Sequence, residues 1–382
     1  MSITPPPPFH TKMDDRISAL PDDILSHILS FLPTEDAFTT TLLSKRWKLI
    51  WLLVPVLNFD DQRFITRGKP YVHFMDMVKS IICAKRKHRK PIKKMYLKCH
   101  RDSNHELSEV NVRKWLFGAA NCGMEHLEFQ TTLLFYFYIS NFRNLVVLKL
   151  KAVRLNSCLP GHFQSLKTLH LNDIYILKHW YIRKLLNSCP ILEDFEAKNI
   201  SGKYSPEEYK REFKSLTNLV RADISNLNRF DVPLEAFSNV QFLRVEEMYG
   251  HVPVFPNLTH AELGFQSNVD LSSVFRVLEK LPKLQNLVLE MPEPSTSVES
   301  CILIPFISPE CLSSQFKECT LTNYRGQKHE LQFAQYIMLN STNLRRMIIC
   351  TPSSVNDKEK LAMQMELSSF LKSSSPCQIY FK

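Results

Sequence analysis

From residue 91 onward one spacing of apolar positions keeps returning: apolar, two residues, apolar, one residue, apolar. Its copies are Ile92-Met95-Leu97, Met124-Leu127-Phe129, Leu145-Leu148-Leu150, Leu166-Leu169-Leu171 and Leu192-Phe195-Ala197. They continue with Leu219-Ala222-Ile224, Val240-Leu243-Val245, Leu258-Ala261-Leu263 and Leu284-Leu287-Leu289. Phe316-Cys319-Leu321 and Leu344-Met347-Ile349 extend the series. An Asn or Ser often stands just ahead of the first apolar residue, as at Asn144, Ser165, Asn218, Asn257 and Asn343. Two apolar residues separated by one other is the alternation of a short strand with one buried face. A strand too short to stand alone, repeated at a near-constant interval, predicts stacked units that share one core.

The interval, roughly 20 to 30 residues, lies in the range of leucine-rich repeats. The expected fold is an α/β solenoid with parallel strands on its concave face. Intervening stretches with helical period, YIRKLLNSCP and SSVFRVLEKLP, would cover the convex side. The array is predicted to be irregular. The Asn expected three residues after the last apolar position is replaced by Val153, Ile174, Ile200, Leu227 and Met248, and KYSPEEYKREFKS lengthens one repeat. Alternation turns Tyr96, Glu128, Lys149, His170, Glu196, Asp223, Arg244, Glu262 and Val288 outward, with Arg221, Phe242 and His260 beside them. Mixed charge with aromatic and Arg anchors suits a binding surface, although an ordinary solvated sheet face has similar texture. His170, Arg221, Asp223, Phe242, Arg244, His260 and Glu262 are the candidate target-binding residues.

Ahead of the array, Ile17 to Trp51 has the three- and four-residue spacing of short amphipathic helices. Pro21 suits a first turn, and Asp22 and Asp23 meet the positive end of the helix dipole. Ile24, Leu25, Ile28, Leu29 and Leu32 form one stripe, and Pro33 ends the helix. Thr34 is expected to cap a second helix, with Phe38 and Leu42 facing inward. Ser44 is expected to cap a third, which carries Trp47 and Trp51 stacked on one face. Three helices this short bury too little, so an apolar patch is predicted to remain for a partner.

Composition narrows the function. Of 382 residues, 44% are hydrophobic, which excludes a wholly disordered chain. Only 8 are Gly, and neither GxGxxG nor GxxxxGK[ST] occurs, so nothing points to a nucleotide fold. No apolar run reaches the roughly 18 residues of a membrane span. The 10 Cys are scattered without a CxxC pair and read as reduced and mostly buried. Cys122 and His126 have ligand-like spacing but lack a second pair nearby, so no metal is expected. No cofactor and no Ser/His/Asp or Cys/His catalytic set is expected either. The formal net charge of +10 is concentrated partly in Lys85-Arg86-Lys87-His88-Arg89-Lys90. That run reads as a solvated helix end, with nuclear import or nucleic-acid contact as alternatives.

LPDDIL, a second LP and LSKRW together make residues 17–51 resemble an F-box. The resemblance implies docking onto the SKP adaptor of a cullin-based ubiquitin ligase. Its matched positions are Leu20, Pro21, Ile24, Leu25, Ile28, Leu32, Pro33, Leu43, Ser44, Arg46, Trp47 and Trp51. At the other end, CLSSQFKECTLTNYRG and ELQFAQYIMLNSTNLRRMII resemble the FBD region of plant F-box proteins. Its expected order is strand, turn at Arg325-Gly326, helix from about Glu330, strand, helix from about Asp357 and a last strand. The whole order is similar to the plant F-box/FBD/leucine-rich-repeat family. The expected domains are a disordered tail (1–15), an F-box (16–62), a basic helical linker (63–91), leucine-rich repeats (92–300) and an α+β FBD-like cap (301–382). The resemblance implies a non-catalytic substrate receptor of an SCF-type ligase, in cytoplasm or nucleus, with an unknown target protein. The alternatives are an adaptor-binding protein without ligase output and a nuclear nucleic-acid binder.

Overall fold

The computed structural model describes residues 15–68, 70–100, 108–132, 135–138, 142, 144–155, 163–177, 180–202, 216–227, 234–246, 252–264, 271–291, 305, 307–370 and 377–382. The expected N-terminal tail, the KYSPEEYKREFKS insertion, the Pro/Ser-rich stretch after Met291 and Met248 fall outside them. The chain divides into two compact units, Met1–Met124 and Glu125–Lys382.

The first unit begins with α1 (Asp22–Leu29), α2 (Thr34–Thr39) and α3 (Lys45–Leu53). Strand β1 (Val56–Asp60), α4 (Gln62–Thr66), α5 (Tyr71–Lys87), β2 (Lys94–Cys99) and α6 (Glu109–Ala120) follow. Strands β1 and β2 pair in parallel, with Leu57 opposite Met95 and Phe59 opposite Leu97. The repeat spacing therefore starts one copy earlier than expected, at Val54-Leu57-Phe59, and all three side chains are buried. Residues 63–91 are not a linker. Phe74, Val78, Ile81 and Ile82 of α5 are buried, and Phe74 meets Phe64 of α4 and Trp115 of α6 edge-on. Gly118 lets α5 and α6 approach, because a Cβ there would lie 2.9 Å from Ile82 Cγ2.

The basic run is solvated at the end of α5 as expected, with Arg86, Lys87, His88 and Arg89 exposed, but its first residue departs from expectation. Lys85 is fully buried, and its ammonium donates to the carbonyls of Leu52, at 3.0 Å, and of Val54. It lies 5.4 Å from the centre of the Trp51 ring. A cation is favourable at a helix C-terminus, where carbonyls lack partners, so Lys85 clasps the end of α3 to α5. Burial pushes its pKa down to about 8.

The second unit is a parallel ladder in sequence order. Its first rungs are β3 (His126–Thr131), β5 (Val147–Lys151), β7 (Thr168–Asn172), β9 (Asp194–Gly202) and β10 (Arg221–Leu227). They continue as β11 (Phe242–Val245), β12 (His260–Leu263), β13 (Asn286–Glu290), β14 (Glu318–Thr322), β15 (Arg346–Ile349) and β16 (Gln378–Phe381). Every apolar residue of the eleven expected copies is buried. Register explains why: Leu148 pairs with Leu169, Leu169 with Phe195, Phe195 with Ala222 and Ala222 with Leu243, so each rung buries its apolar side against the next. Between rungs lie α7 (Trp180–Asn187), α8 (Ser272–Leu278), α9 (Glu310–Ser314), α10 (Lys328–Asn340) and α11 (Asp357–Ser369). The FBD-like region adds β14, β15 and β16 in the same parallel order, so it prolongs the ladder.

Two devices replace the missing Asn. Val153, Ile174 and Ile200 are buried at its position, and the chain turns there through left-handed residues at Ala152, Asp173 and Asn199. An Asn ahead of four of the rungs does related work at the other end of the strands. Asn218 donates to Pro190 O, Asn239 to Thr217 O, Asn257 to Asn239 Oδ1 and Asn343 to Ser314 O, each reaching the preceding turn. A second row of two-residue strands, β4 (Tyr136–Phe137), β6 (Arg154–Leu155) and β8 (Tyr175–Ile176), pairs in parallel alongside.

Candidate interaction surfaces

Helix α1 is only eight residues long, and its stripe splits between two environments. Leu25 and Leu29 are buried at 1% and 3% exposure, whereas Ile24, Ile28 and Leu32 are exposed. A helix with apolar residues at both three- and four-residue steps has a wide face. One edge of it here meets α3 and the other meets solvent. Phe38 and Leu42 do not face inward as expected: Phe38 is 43% exposed and Leu42 84%. Phe31, Leu43 and Leu49 are exposed as well. Phe31 and Leu49 were not legible as surface residues. Phe31 lies just past the end of α1, and Leu49 stands next to the buried Ile50 in an apolar stretch of α3.

The other expected docking residues have different employment. Trp51 is 4% exposed and meets Phe38 edge-on at 5.1 Å, so it does not form a stacked pair with Trp47, which is half-buried. Leu25 and Trp51 therefore cannot touch a partner without opening the unit's own core. Ser44 caps α3 by accepting from Trp47 N at 3.5 Å. Thr34 is not the cap of α2, which is Pro33. Its buried hydroxyl accepts instead from Asn58 N on β1. Arg46 forms a fork onto Asp22 Oδ1, with Nη2 at 2.7 Å and Nε at 3.0 Å. It also donates to the carbonyls of Ser18 and Leu20, tying α3 to the start of α1. Pro21 is exposed; Leu20 and Pro33 are half-buried.

Among the described residues one cluster has the makeup of a metal site: Asp60, Asp61 and His100. Asp61 is fully buried and accepts from His100 N, from the His100 ring at 2.8 Å and from the Tyr71 hydroxyl at 2.8 Å. These donors use the carboxylate as a joint between β1, α5 and the end of β2. Cys122 and His126, noted for their spacing, have separate partners: Cys122 donates to Gly118 O, and His126 sits against Glu128.

On the ladder, all seven candidate target-binding residues share one face. Register sets two outward columns: Asp194, Arg221, Phe242 and His260 in one, and His170, Glu196, Asp223, Arg244 and Glu262 in the next. Neighbours in and across these columns are paired. His170 lies 2.9 Å from Asp194, Arg244 Nε 3.6 Å from Glu262, and His260 3.2 Å from Glu262. Asp223 sits at the centre, 1% exposed. Lys198 approaches it at 3.1 Å, Arg221 at 3.2 Å and Arg244 at 4.0 Å. Above this carboxylate the Arg221 guanidinium lies 3.9 Å from the centre of the Phe242 ring, which stacks on His260 at 4.9 Å. Burial opposes ionisation of Asp194 and Glu196. Hydrogen bonds from His170 and Asn172, with nearby cations, still hold both carboxyls below the usual range. The His126 hydrogen bond, aided by Lys149, brings Glu128 down to about 2.

Removing the Asp223 carboxylate leaves three cations facing one another. These cations are 30–41% exposed and can recover water, which limits the cost. Asp223→Ala is expected to lose about 1–2 kcal/mol in urea unfolding. A loss below a few tenths would mean that the cluster does not organise the face.

Comparison with known proteins places these surfaces in context. A family model described as F-box domain matches residues 17–59, and one described as FBD matches residues 307–349. A putative F-box/FBD/LRR-repeat protein of Arabidopsis thaliana is 27% identical over 430 residues, which cover 96% of this chain and 97% of the relative. An FBD-associated F-box protein of the same plant is 28% identical over 435 residues, covering 96% and 100%. An F-box/FBD/LRR-repeat protein is 26% identical, covering 96% and 99%. The chain thus carries an F-box domain and an FBD, and its similarity to plant F-box/FBD/LRR-repeat proteins runs almost end to end.

Proposed function

We propose that this F-box chain is the substrate-recognition subunit of an SCF-type ubiquitin ligase. F-box domains bind SKP-type adaptors, and the exposed residues Ile24, Ile28, Phe31, Leu42, Leu43 and Leu49 supply the apolar contact area for one. That exposed set is the observation that carries the reading. Through the adaptor the chain joins a cullin, and through the outward columns of the ladder it holds a target protein. It contributes no catalytic residue. Its work is to raise the effective concentration of the target's lysines near a ubiquitin-loaded enzyme. The cytoplasm and the nucleus are where it would act. Burial of Lys85 removes one cation from the basic run, which weakens the nucleic-acid alternative.

Two assays test this. The chain is expected to co-purify with both adaptor and cullin and to support ubiquitination of a bound target. Adaptor binding without cullin or ubiquitin transfer would instead identify a protein without ligase output. On the ladder, Arg221→Glu combined with Arg244→Glu places two new carboxylates beside Asp223. This variant is expected to weaken target capture by tenfold or more while adaptor binding stays unchanged. Capture at the native level would remove the outward columns from the target surface.

A further inference from the structure

Lys149, Lys198, Arg221 and Arg244 of the main ladder face each meet a carboxylate, but Arg154 on the second row of strands does not. Strands β4, β6 and β8 align Tyr136, Arg154 and Tyr175 in one column. Their neighbours Phe137, Leu155 and Ile176 are buried in the core, so the Tyr-Arg-Tyr column turns the other way and is half-exposed. The Arg154 guanidinium lies 5.8 Å from the Tyr136 ring centre and 5.5 Å from that of Tyr175. Among the described residues its guanidinium meets these two rings and no carboxylate, and its Nε is buried without an acceptor.

This arrangement has a chemical consequence. Two flanking rings remove water from the guanidinium and hold its plane, which lowers the entropy lost when a ligand binds. A partly desolvated cation without a carboxylate leaves its hydrogen-bonding capacity to an incoming anion. The fork of N–H donors matches two oxygens on one centre, as in a carboxylate or a phosphate. We propose that Tyr136, Arg154 and Tyr175 form a subsite for an anionic side chain of a bound peptide, either a carboxylate or a phosphate. The subsite rests on the reading that the repeats hold a protein target, and it adds the chemical class that the target presents.

The test uses the full chain and three fluorescein-labelled Gly/Ser peptides carrying three Glu, three phosphoserine or three Gln residues. Fluorescence polarisation is expected to detect binding of an acidic peptide and none of the Gln peptide. Preference between the Glu and phosphoserine peptides identifies the source of the anion. Arg154→Gln is expected to weaken acidic-peptide binding about tenfold. Arg154→Lys, which keeps the charge without the fork, is expected to retain part of the native affinity, and Tyr175→Phe, which keeps the ring, all of it. Equal binding of the Gln peptide overturns the subsite, as does absence of acidic-peptide binding or indifference to Arg154→Gln. If Arg154→Gln binds acidic peptides normally while the Arg221/Arg244 variant loses its target, the subsite falls and the ladder-face reading stands. If peptide binding requires Arg154 but target capture ignores Arg221 and Arg244, the subsite stands and the ladder-face reading falls.

Discussion

Ile28→Asp combined with Leu43→Asp is expected to reduce adaptor binding by at least about a hundredfold while the chain stays folded. Both side chains are already in water, so the substitutions remove nothing from the core. In a complex, each Asp must either lose its hydration or hold the surfaces apart, and a buried unpaired carboxylate costs several kcal/mol. The contrasting variant is Leu25→Ala. Its side chain is 1% exposed, and truncation is expected to cost about 2–5 kcal/mol of stability through transfer and cavity terms. Adaptor affinity measured by calorimetry, beside a thermal melt of each variant, separates the two effects. Native-level affinity in the double variant would take Ile28 and Leu43 out of the interface. Undiminished stability in Leu25→Ala would contradict the assignment of that residue to the core.

Lys85→Ala is the second substitution with a large expected effect. It removes a fully buried stem and the donors that satisfy two carbonyls at the end of α3. At pH 7 the expected loss is about 2–4 kcal/mol, read from urea unfolding. The pH dependence has a defined sign. The folded pKa of Lys85, about 8, lies below the ordinary lysine value of 10.5. Between these values the unfolded chain binds more protons than the folded one, so stability rises with pH from about 8 to 10.5. The native margin over Lys85→Ala should therefore widen across that window and stay level below it. Comparison with the variant cancels buried thiols such as Cys99 and Cys311, whose pKa values burial pushes up and whose unfolded forms ionise in the same window. A margin constant from pH 7 to pH 9.5 would mean that the ammonium is not held as the structure has it.

The repeats were readable because their signal is local. Leu166, Leu169 and Leu171 stand at fixed offsets on one strand, and a period of two assigns a face without knowledge of any neighbour. All of them are buried. The seven candidate residues of the outward face were readable for the same reason. Their pairing was not. Asp223 meets Lys198, Arg221 and Arg244 because parallel register sets β9, β10 and β11 side by side. Lengths of intervening chain decide that register, and no short-range pattern encodes it.

The short helices show the opposite balance. At Phe38 and Leu42 helical spacing pointed to the core, yet both are exposed. A helix of six to nine residues has apolar positions around much of its circumference. Which of them are buried depends on how neighbouring helices cross. The same holds for Lys85: a basic run reads as solvated because charge prefers water, and only the carbonyls at the end of α3 make burial tolerable.

By itself, then, the order of apolar and polar residues determined the stacked architecture, the buried triplets and the presence of an N-terminal segment of short amphipathic helices. Each follows from periods of two or of three to four residues along the chain. The tertiary structure alone decided which apolar residues of that segment stay in water, that Arg46 and Lys85 clamp it, and that Arg154 lies between two Tyr rings. Those outcomes depend on contacts between residues 18 to 34 positions apart, whose geometry is settled only when the elements pack.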